Sequence, residues 1–101
     1  MINHMENKEL TIKLMLSLQR ALVGAVTANL YAVTAGITDN TVSINAFFYG
    51  CVSEHDLESI QFVGSEVASD LPEDINVKEA CFSKQNTLVE VLDFWVFKRE
   101  S

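Results

Sequence analysis

The chain is predicted to be an α+β domain with the element order α-β-β-α-β-β, and three observations predict it. Residues 30–49, LYAVTAGITDNTVSINAFFY, read as two alternating strands joined by a short polar turn. Ahead of them, apolar residues recur at helical spacing; behind them, a capped helical stretch runs into the only proline, Pro72. A second pair of strand-like segments follows, so the expected architecture is a mainly antiparallel four-stranded sheet with both helices on one face. All 101 residues fit one domain with one two-layer core. Within it, residues 1–5 are expected to be either disordered or foreign to the native chain, since His4-Met5 resembles a cloning junction.

The first helix is expected over about Glu6 to Val23. Leu10, Leu14, Leu18, Ala21, Leu22 and Ala25 repeat at three- and four-residue spacing and stripe one face. Ile12, Met15 and Leu16 either widen that stripe or meet another chain. Gly24 is a plausible stop, since glycine takes left-handed conformations without a Cβ penalty.

In the first hairpin Thr38-Asp39-Asn40-Thr41 is the turn, where Asp and Asn tolerate positive φ. Strand two sends Val42, Ile44, Ala46 and Phe48 to one side, which should face the helices. Ser43, Asn45, Phe47 and Tyr49 go to the other. Ser53 then caps the second helix, with Asp56 placed to bond back in a variant of the capping box. Its expected buried stripe is Leu57, Ile60, Gly64, Val67, Ala68 and Leu71, and Pro72 forces the end. Asp70 stands at the wrong end for the helix dipole, and nothing local explains it. The last segments, 75–82 and 88–97, are expected as a second hairpin. The final strand is apolar on both sides, as in a strand covered on both faces.

Composition narrows the function classes. Hydrophobic residues make up 49% of the chain and aromatic ones 9%, a globular balance. No apolar run is long enough for a membrane span, and the first ten residues lack a secretory signal's basic and apolar regions. The protein is therefore expected in the cytoplasm, without a membrane partner. Cys51 and Cys81 lack redox-motif spacing and read as packing residues. Net charge is −7, and no Lys or Arg occurs between Arg20 and Lys78. That acidic middle repels phosphates, so nucleic acid is excluded as a partner, whereas a basic protein would be attracted.

Catalytic chemistry finds no support. His4 and His55 are the only imidazoles, and neither has ligands at metal-site spacing. Four scattered glycines build no phosphate-cradling loop. No nucleophile, base and orienter assemble from the Ser, Cys and His present. Neither catalysis, a cofactor nor a metal is expected.

The run from Ser17-Leu18-Gln19-Arg20-Ala21-Leu22-Val23-Gly24 to Val26-Thr27-Ala28-Asn29-Leu30-Tyr31-Ala32-Val33 resembles a group of small bacterial proteins. They open with a QRAL-x-G-x-V-x-x-NL-x-AV run. The similarity continues through the aromatic strand (Phe47, Tyr49), the helix start (Ser53, Glu54, Asp56) and its end (Asp70, Leu71, Pro72), up to about Asp74. It is specific as a family signature and brings no catalytic activity with it. An immunity-like role against a toxin is compatible with it.

Two surfaces follow as candidates. Glu54, Glu58, Glu66 and Asp70 on the second helix would engage a basic protein partner, with Tyr49 and Phe62 as the nearest apolar anchors. Phe47, Tyr49, Trp95 and Phe97 would form an open aromatic sheet face. That face would hold a homodimer partner or, alternatively, a small apolar ligand or peptide.

Overall fold

The structure is a computed structural model that describes residues 7–25, 27–83 and 94–98. It contains α1 (Asn7–Leu22), β1 (Leu30–Thr38), β2 (Thr41–Phe48), α2 (Glu54–Asp70), β3 (Asn76–Ser83) and β4 (Phe94–Lys98). The order is the expected one, and the fold is α+β. Residues 1–5 and the segment 84–93, where the second turn and most of the last strand were expected, lie outside the described residues.

The sheet is mixed, with strand order β3-β2-β1-β4. β1 pairs antiparallel with β2 and with β4, while β3 runs parallel to β2. The expected second hairpin is therefore incorrect, because β3 and β4 occupy opposite edges. The reason is the crossover: β2, α2 and β3 form a β-α-β unit, whose connection returns the chain parallel to the strand it left. β4 then adds to the free side of β1. Apolar residues on both sides of a strand did not require a central place.

The first turn is as read. Asp39 takes the left-handed conformation, φ 54°, and the Asn40 carbonyl accepts the Asn76 N–H at 2.8 Å, tying the turn to the start of β3. A β-branched residue resists that φ, at a cost of about 1–2 kcal/mol. Asp39→Val should lower the urea midpoint accordingly, whereas Asp39→Gly should hold or raise it; equal midpoints would contradict the turn geometry.

The core lies between the sheet and both helices. From α1 come Leu10, Leu14, Leu18 and Leu22; from β1 and β2 come Val33, Ala35, Val42, Ile44, Ala46 and Phe48. The helices thus share one sheet face, and β2 points the predicted residues at them. The α2 stripe differs in part from expectation. Ile60, Val63, Gly64 and Val67 are buried, but Leu57 is 41% exposed and Ala68 is exposed too. The cap decides this rotation: Asp56 turns inward, and residues 60, 63 and 67 continue its line, leaving Leu57 about 100° around the helix. Ile12 and Leu16 are exposed rather than core.

Candidate functional site

Polar contacts at its two ends seat α2. At the N-terminus the Asp56 N–H donates to Ser53 Oγ (3.0 Å), and Asp56 Oδ2 accepts from the Ser53 N–H (3.2 Å). The same oxygen accepts from Asn29 Nδ2 at 3.1 Å, joining the cap to the residue before β1. At the C-terminus Leu71 is extended (φ −105°, ψ 163°), as a residue before proline must be.

Asp70, unexplained by local sequence, has a tertiary reason. Its Oδ2 accepts from Ser17 Oγ (2.7 Å) and from Arg20 Nη2 (2.6 Å), clamping α2 to α1. The Ser17 hydrogen bond, then the Arg20 bond, hold its carboxyl below the ordinary value of 3.8. A lowered folded-state pKa stabilises above the ordinary value and is lost as pH falls through the lowered one.

This clamp sets α1 against α2 with the end of one helix beside the end of the other. Arg20 meets Asp70, and the turn after α1 lies by the first half of α2. Between them runs an open groove of about 450 Å³. Its lining includes small residues, Ala21, Gly24, Ala25 and Ser59, beside Val23 and Phe62, which are 83% and 60% exposed. His55, Glu58, Glu66 and Arg20 complete it. Glu58, Phe62 and Glu66 follow at four-residue steps, so they form one row along α2. An exposed aromatic between two carboxylates, over small residues, suits a basic surface that carries apolar side chains.

A family model described as MafI2 immunity protein matches residues 11–101. The chain belongs to that family. The match begins one turn into α1 and covers the rest of that helix, α2 and every described strand. No curated protein matches the chain. Membership implies a non-enzymatic role exercised by binding a protein. No helix among the described residues is long and apolar enough to cross a membrane.

The predicted site residues separate into groups. Glu58, Glu66 and Phe62 come together in the groove. Glu54 is exposed in the first turn of α2, outside the groove lining. Asp70 is already committed to Ser17 and Arg20. The aromatic face is not open as envisaged. Phe47 is 1% exposed and stacks on Phe82 with centroids 5.3 Å apart. Phe97 packs against the helix-side core, its backbone registered with Val33. Tyr49 is half-buried, edge-on to Tyr31. Trp95 pairs with Thr34 in the backbone register, and its side chain lies outside the described set. The α1 side of the groove was missed, although an apolar Val23 off the helix stripe was its signal. Gly24 is not the expected left-handed stop, since α1 already ends at Leu22 and no described glycine has positive φ.

A second polar feature lies under α2. The Glu79 carboxylate sits against Gly64, so close that a Cβ there would collide with it. Burial raises the Glu79 pKa above its ordinary 4.5. Burial, followed by Asp56 and Glu79, pushes the Cys81 thiol up to about 11, so it stays protonated at neutral pH. Cys81 is thus a packing residue as expected; Cys51 is exposed and is not. A raised carboxyl pKa favours the folded state at low pH, and that contribution is lost as pH rises through the folded value. Glu79→Gln should therefore raise the urea midpoint at pH 7 and match the wild type below about pH 4. A mutant that is no more stable at pH 7 would contradict this.

Proposed function

We propose that this immunity protein neutralises a basic protein toxin by direct, non-enzymatic binding through the α1–α2 groove. The observation that carries the reading is the row Glu58, Phe62, Glu66 beside Val23. It offers a partner two carboxylates for Lys or Arg and apolar surface to desolvate. The carboxylates steer encounter through a chain of net charge −7, and the aromatic residue supplies an anchor. Glu54 extends the acidic field beyond the groove. Asp70 contributes charge, but its clamp makes it unsuitable for reversal in a test.

The chain, used as bait in native lysate, should retain a protein of net positive charge that is toxic when expressed alone and harmless when co-expressed. Retention should fall as salt rises, since exposed charges are screened within about 10 Å at 0.1 M. If no basic protein is retained, or if retention ignores both salt and the Glu58→Lys/Glu66→Lys change, the acidic row is merely solvated.

A further inference from the structure

We infer that the partner enters this groove as an amphipathic basic α-helix, an inference that rests on the groove being the binding surface. Three features of the groove point to a helix rather than a strand or a loop. It runs along the exposed side of α2, walled by the last turn of α1 and the turn that follows it, so a partner helix can lie along α2. Its lining of Ala21, Gly24, Ala25 and Ser59 is small, which lets a partner backbone come close. Glu58 and Glu66 are separated by eight residues of helix, about 12 Å, close to two turns.

Cations seven positions apart on the partner helix match that span, and apolar residues three and four positions after the first fall between them, over Phe62 and Val23.

The test uses a synthetic helical peptide with two Lys seven positions apart and two Leu between them, titrated into the isotope-labelled full chain and followed by NMR. Two control peptides accompany it: one with a central proline to break the helix, and one with both Lys replaced by Glu. The expected result is saturable shifts at the amides of Gly24, Ser59 and Phe62, at least ten-fold weaker with either control. Gly24→Leu blocks the groove and should abolish the shifts. A Cβ at Gly24 meets nothing within 4 Å, and the amide spectrum of the free variant, with its core resonances unmoved, shows that it is folded before the titration. If the proline peptide binds as well, or Gly24→Leu leaves binding unchanged, the helical occupant is wrong while the acidic row stands. If the Glu peptide binds as well as the Lys peptide, the charge basis of the groove fails. Shifts absent, or confined to residues away from the groove, overturn the inference.

Discussion

Replacing both groove carboxylates, Glu58→Lys with Glu66→Lys, should weaken binding of the protein partner about a hundred-fold while leaving the fold intact. Each exposed ion pair alone contributes only about 0.2–1 kcal/mol. Reversal does more than remove it, because a Lys then faces the partner's cation. Attraction lost and repulsion gained together come to about 1.4 kcal/mol per site, a factor of ten each. Glu58→Gln with Glu66→Gln should lose only about ten-fold, because no repulsion replaces the attraction. Both glutamates are exposed, so the unfolding free energy from urea titration should move by no more than about 0.5 kcal/mol. The loss should appear chiefly in the association rate at low salt and shrink at high salt. Equal affinities for wild type and double reversal would remove the electrostatic half of the account.

The largest effect on stability is expected at Asp56, which is 5% exposed and holds three contacts. Asp56→Ala breaks the reciprocal cap and strips Asn29 of its acceptor. Loss of a cap side chain costs about 1 kcal/mol, and hydrogen bonds to a charged group about 1.5–3. These overlap, so a total of about 3 kcal/mol is expected, or about 15 °C in Tm for a domain of this size. Asp56→Asn keeps an acceptor oxygen and should recover about half of that loss. Calorimetry of the three proteins decides it; a Tm loss for Asp56→Ala below about 5 °C would mean that the cap is not what seats α2.

Much of this architecture was legible because local signals agreed with one another. The α1 stripe from Leu10 to Leu22, the Asp39 turn and the Ser53–Asp56 box are short-range patterns, each with one favourable geometry. What was not legible depends on contacts distant in sequence. The parallel placement of β3 follows from how α2 crosses the sheet, and no alternation within residues 76–83 encodes it. Asp70 looked misplaced because its partners, Ser17 and Arg20, are more than forty residues away. Phe47 read as exposed because strand alternation tells which side a residue faces, not whether that side is covered. In the candidate site, the acidic row on α2 was visible from charge alone. Its counterpart, Val23 and Gly24, becomes a site only once the Asp70 clamp brings the end of α1 beside it.

The central claim is that the protein partner occupies the groove between α1 and α2. Hydrogen–deuterium exchange of the full chain, free and bound to the partner recovered from lysate, tests it most directly. The account predicts slowed exchange on binding in peptides covering residues 20–25 and 55–66, with β1 and β2 unchanged. Slowing confined to the sheet, with residues 55–66 exchanging as in the free chain, would contradict it.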